Sequence, residues 1–81
     1  MNMEIQCFQK AIGKTIRELR KERKLSQEEL AYRAGLHRTY IGAIERGERN
    51  ITVINLYKIL RALNINMSYF FKKVETFIDK N

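Results

Sequence analysis

The chain has no proline and no tryptophan, and its 81 residues include only one cysteine, one histidine and four glycines. With Cys7 alone, no disulfide framework can form, and a structural zinc site, which takes about four ligands, is excluded. Cys7 and His37 together are too small a set for a metal, so Cys7 reads as a small apolar residue on the first helix. Apolar runs reach only three or four residues, far short of the ~20 that a membrane-spanning helix needs. The segment Met1–Cys7 carries neither a basic stretch nor an apolar stretch of the signal-peptide kind, so a soluble, cytoplasmic protein is expected, without a membrane partner. A nucleophile–base pair, a glycine loop for phosphate and a metal set are all missing, which speaks against an enzyme and against a cofactor. No low-complexity tract or internal repeat divides the chain, and a single domain over residues 1–81 is expected.

What the chain does have is positive charge. Sixteen Lys and Arg stand against nine Asp and Glu, a net +7. On so small a domain that is a strong field, and polyanions are its natural partners. Charge by itself does not separate nucleic-acid binding from mere solubility, so the placement of the residues has to decide.

Apolar residues recur at helical spacing almost throughout. Ile5, Phe8, Ile12, Ile16 and Leu19 follow steps of three or four and predict a first helix from about Glu4 to Lys24. Lys10, Lys14, Arg17, Lys21 and Lys24 lie on its outer face, and Gly13 costs it on the order of 1 kcal/mol relative to alanine. Ser26-Gln27-Glu28-Glu29 has the form of a capping box and opens a second helix, with Leu30, Ala31 and Ala34 inward, that ends at Gly35. A third helix starts near His37 or Arg38 and stops at Gly47, where glycine accepts the left-handed conformation. Thr52 caps a fourth helix that closes at Asn64, and Asn66 or Ser68 opens a fifth that reaches about Asp79. Two short helices joined by a tight glycine turn form a helix-turn-helix unit, here spanning about residues 26–47.

On a wheel of 100° per residue, Ile41 and Ile44 point to one side of the third helix, with Tyr40 at the margin. Arg38, Thr39, Gly42 and Arg46 fall on the other side, with Ala43 beside them. That outward face is small at its centre and hydrogen-bonding at its N-terminal end, a shape that suits a major groove. Arg38 is the candidate base reader, because a guanidinium can donate two bonds to guanine O6 and N7. Thr39 is placed for a base or its methyl group, and the Tyr40 hydroxyl for a phosphate. Gln27 lies with the free amides at the start of the second helix, a phosphate-binding position. Arg49 and Asn50 follow the recognition helix and suit the DNA backbone, with a minor-groove contact open to Arg49. Arg46 is expected either on phosphate or in solvent.

The runs Leu25-Ser-Gln-Glu-Glu-Leu-Ala31, His37-Arg-Thr-Tyr-Ile41 and Ile44-Glu-Arg-Gly47 resemble the Cro/cI-like (XRE) helix-turn-helix family. Within it the chain is most similar to the short controller proteins of restriction–modification systems, over roughly Ile12 to Phe71. The resemblance implies an all-α, five-helix, lambda-repressor-like DNA-binding domain. It implies DNA contacts from Gln27, Arg38, Thr39, Tyr40 and Arg49, and a structural Glu45 paired with an arginine of the first helix, Arg20. Two positions depart from the family pattern: His37 stands where a serine cap is common, and Gly42 where serine is common.

Phe70, Phe71, Val74, Phe77 and Ile78 form a stripe about 120° wide on the fifth helix, more than so small a monomer readily hides. A two-fold homodimer resolves this, with Tyr69, Phe77 and Ile78 expected at its interface. The C-terminal helix, about 67–79, is thus assigned to both core and dimerisation. The expected function is a sequence-specific transcriptional regulator that binds double-stranded DNA as a homodimer on a palindromic operator, with one or two dimers per operator. Control of a restriction–modification system leads; a phage-type repressor, an antitoxin, or a protein-interaction module that has lost DNA binding are the alternatives.

Overall fold

In the computed structural model, which describes residues 3–79, all regular secondary structure is helical: α1 Met3–Glu22, α2 Gln27–Ala34, α3 Arg38–Glu45, α4 Val53–Leu63 and α5 Met67–Asp79. Met1, Asn2, Lys80 and Asn81 of the expected domain lie outside the described residues. Among the described residues, no helix is long and apolar enough to cross a membrane.

Each junction has a local chemical cause. The chain leaves α1 at Glu22, two residues earlier than its apolar period suggests. Lys24 turns into the left-handed region at φ 57°, and the Leu25 amide bonds back to the Arg20 carbonyl at 3.2 Å. This reversal carries Leu25 into the core. The capping box of α2 is complete: the Ser26 hydroxyl accepts from the Glu29 amide at 3.0 Å, and the Glu29 carboxylate accepts from the Ser26 amide at 2.8 Å. Gly35 ends α2 at φ 69°, a conformation that costs glycine nothing. His37 sits at the N-cap of α3 without a side-chain cap bond. Thr52 caps α4 through the Asn55 amide, and Asn64 closes it in the left-handed region. Of the two residues expected to open α5, Asn66 does so, accepting from the Tyr69 amide at 2.8 Å.

The core gathers one stripe from every helix: Ile12, Ile16 and Leu19 of α1, Leu30 of α2, Ile41 and Ile44 of α3, Leu56, Ile59, Leu60 and Leu63 of α4, and Phe70 and Val74 of α5. Burying a side chain of this kind contributes roughly 1.5–3 kcal/mol. Helix α1 lies against α5 and α3, while α2 lies against α3 and α4. With 20 residues, α1 is about 30 Å long, nearly the 32 Å longest dimension of the molecule. Its first turns therefore overshoot the core. Ile5 and Phe8 follow the apolar period yet remain exposed, and burial begins only at Ala11.

Candidate nucleic-acid interface

The support for α3 begins at its flank. Arg20 Nε and Nη2 donate to the two carboxylate oxygens of Glu45 at 2.7 and 3.0 Å, and Nη1 donates to the Leu25 carbonyl at 2.8 Å. Glu45 Oε1 also accepts from Gln27 Nε2 at 3.0 Å. Arg20 and Glu45 are both buried. The hydrogen bonds that Arg20 donates to Glu45 raise the Arg20 pKa above its ordinary value, against the opposing effect of burial. A fork-to-carboxylate pair of this type fixes orientation as well as charge. One acidic residue thus joins α1, the start of α2 and the end of α3.

Next to this cluster, and sharing Gln27 with it, Gln27, Arg38, Thr39, Gly42 and Arg46 line one recess of about 220 Å³. Arg38, Thr39 and Arg46 are exposed there, as the helical wheel requires. Gly42 and Ala43 are buried, and the ends of the Arg46 and Gln27 side chains lie over Gly42 at the centre of that face. Arg46 is solvent-exposed, and its Nε pairs with the equally exposed Glu48 at 3.1 Å.

A second group sits where α3 leads into α4. The Tyr40 hydroxyl accepts from Asn55 Nδ2 at 3.1 Å, and the Arg49 guanidinium lies 5.4 Å from the centre of the Tyr40 ring. This geometry leaves the tyrosine proton available to donate outward, with a cation beside it. Asn50 is exposed in the following loop. Asn55 is the member that sequence reasoning missed. An asparagine in the first turn of a helix carries no signal of its own, and only the path of the 46–52 loop brings it to Tyr40.

The three residues expected at a dimer face divide. Tyr69 is 47% exposed, whereas Phe77 and Ile78 are half-buried and already pack against the core, with Lys14 Nζ 4.7 Å from the Phe77 ring centre. More exposed apolar surface lies on α4, where Val53 is 71%, Ile54 64% and Tyr57 48% exposed. Among the described residues, no group of three or more His, Cys, Asp or Glu could hold a metal ion.

Residues 16–70 match the family model described as helix-turn-helix. The control protein C.SmaI of Serratia marcescens is 44% identical over 64 residues, which cover 75% of this chain and 76% of that protein. The restriction–modification controller protein C.AhdI from Aeromonas hydrophila superimposes with a TM-score of 0.75 at 44% identity, covering 76% of this chain and 94% of that one. The wild-type controller C.Esp1396I superimposes with a TM-score of 0.85 at 32% identity over 100% of both chains. C.Esp1396I has also been solved as a tetramer in complex with its natural 35 base-pair operator. Its solved variants replace an arginine, a threonine and a tyrosine at consecutive positions. The chain therefore belongs to the helix-turn-helix family and, within it, to the controller proteins of restriction–modification systems.

Proposed function

We propose that this protein is a sequence-specific transcriptional regulator that binds a palindromic operator as a homodimer and controls a restriction–modification system. The observation that carries the reading is the convergence of Gln27, Arg38, Thr39 and Arg46 on one recess at the surface of α3, on a chain with net charge +7. Arg38 is assigned to base edges and Thr39 to a base or its methyl group. Tyr40, Arg49 and Asn50 are assigned to the DNA backbone, Tyr40 with its hydroxyl oriented by Asn55. Gln27 is assigned to phosphate beside the α2 amides, held there through Glu45. The Arg38-Thr39-Tyr40 run has the same order of residue types as the three positions substituted in C.Esp1396I, which supports this assignment.

Pairing into a dimer follows the operator-bound tetramer of C.Esp1396I and the apolar surface left open here. Tyr69 is retained at the interface. Phe77 and Ile78 are placed at its margin because the core already takes part of their surface, and the exposed Val53, Ile54 and Tyr57 are added. Half-sites are expected about one helical turn, ~34 Å, apart or at a multiple of that spacing.

Selection of bound duplexes from a randomised pool tests the reading. An enriched motif with two-fold symmetry is expected, together with binding that weakens steeply as salt rises. Failure to enrich any sequence, with no salt-sensitive association to random duplex, would leave an interaction module in its place. Ile54→Glu should shift the sedimentation of the free protein toward monomer; a wild-type protein that sediments as monomer at every concentration removes the paired state.

A further inference from the structure

Gly42 is the unexplained residue of α3. Glycine is the poorest helix former after proline, yet it stands in the middle of the eight-residue helix that the proposed function depends on. Nor does it serve a backbone need there, since the positive-φ glycines of the chain are Gly35 and Gly47. Its significance lies in what rests on it. A Cβ at position 42 would fall 3.2 Å from Arg46 Nη1 and 3.5 Å from Gln27 Oε1, closer to the arginine than ordinary van der Waals contact. The atoms it would meet are the ends of two side chains, one from α2 and one from the C-cap of α3.

We infer that Gly42 is a specificity-determining residue: its missing side chain lets Arg46 lie flat across α3, which makes Arg46 a second base reader beside Arg38. The inference rests on the proposed DNA-binding function and deepens it. Two observations bear on the placement of Arg46. Its Nε pairs with Glu48 at 3.1 Å, both side chains being exposed, and its Nη1 lies where a Cβ at position 42 would come within 3.2 Å, on the recess that Arg38 and Thr39 also line. With its Nε engaged, Arg46 still has terminal N–H groups to offer. Two guanidinium groups on one recess call for a partner dense in acceptors, and guanine, with O6 and N7 side by side in the major groove, is the base that supplies them. Arg38 and Arg46 are eight positions apart, about 12 Å along a helix axis. Their targets are therefore expected to be two guanines within about four base pairs of each other in one half-site, since bases rise about 3.4 Å per step.

The test compares wild type, Gly42→Ala, Arg46→Ala and the double variant by duplex selection and by affinity for the selected and random duplexes. Gly42→Ala and Arg46→Ala should both lose guanine preference at the same base pair. Each should lower the ratio of specific to random affinity by about fivefold or more, the lower end of a bidentate base contact. The double variant should be no worse than Arg46→Ala, because the glycine acts only through the arginine. Arg46→Lys, with the glycine intact, should lose the same base preference, since an ammonium lacks the planar fork. Gly42→Ala should melt no lower than wild type. Wild-type preference kept by Gly42→Ala, loss at a different base pair, additive losses in the double variant, or a Gly42→Ala protein that melts well below wild type each overturn the inference. A wild-type protein that enriches no sequence overturns the regulator reading itself, which separates the two failures.

Discussion

Arg20 and Glu45 are twenty-five positions apart in sequence and meet through two parallel hydrogen bonds, with the side chains of both almost out of reach of solvent. Desolvating such a pair is costly, so its net stabilisation is modest. Removing one partner is another matter, because the other charge is then buried alone. Glu45→Ala should lower the unfolding free energy by about 3–5 kcal/mol, read from the urea midpoint. A loss below about 1 kcal/mol would mean that the pair behaves like an exposed one.

Arg38 and Arg49 should fail differently. Arg38→Ala is expected to cost about 1–3 kcal/mol on the selected operator and to relax one base position. Arg49→Ala should weaken all sequences alike and lower the slope of log affinity against log salt by roughly one. Equal losses for Arg38→Ala on operator and on random DNA would strip it of its base-reading role.

The Asn55 amide has Tyr40 as its hydrogen-bond acceptor. Asn55→Ala and Tyr40→Phe should each weaken operator binding by about 0.5–1.5 kcal/mol. In a double-mutant cycle the two losses should not add, since they remove the same oriented hydroxyl. Strict additivity would show that Asn55 serves only the start of α4.

Acid should act on α2 through its cap. The Ser26 backbone amide, and after it the Ser26 side chain, hold the Glu29 carboxyl below its ordinary pKa. A depressed folded-state pKa contributes stability that is complete above the unfolded value and lost as pH falls through the folded one. The melting temperature of wild type should thus exceed that of Glu29→Gln at neutral pH, and the gap should narrow below the usual carboxylate range. A gap that stays constant down to strongly acidic pH counts against the cap as the cause.

Most of the fold was legible because the signals were local. Ser26 with Glu29, Gly35, Thr52 and Asn64 each mark a helix end by chemistry confined to a few residues, and the apolar period names the inward faces. What escaped was whatever depends on neighbours distant in sequence. Ile5 and Phe8 keep the period of α1 but stay about half exposed, because α1 extends past the buried core at its first turns. The wheel assigned Gly42 to the outward face correctly, yet it could not foresee that side chains from α2 and the end of α3 would cover it. The stripe predicts Phe77 and Ile78 as surplus to the monomer, whereas both pack partly on the core and Phe77 lies beneath Lys14 of α1. Asn55 belongs to the same class, since a single hydrogen bond across a loop leaves no periodic trace.

Gly13 weakens α1 as a helix, but it is the place where α1 passes over the end of α3. Any side chain there would run into the carbonyl oxygens of Ile44 and Glu45, the latter at 2.7 Å. The tilt at which the recognition helix is presented is therefore governed from its C-terminal end, by a hydrogen where other residues carry a carbon. Evolving a new target sequence can redecorate the outward side chains of α3, so long as this close backbone crossing is left untouched.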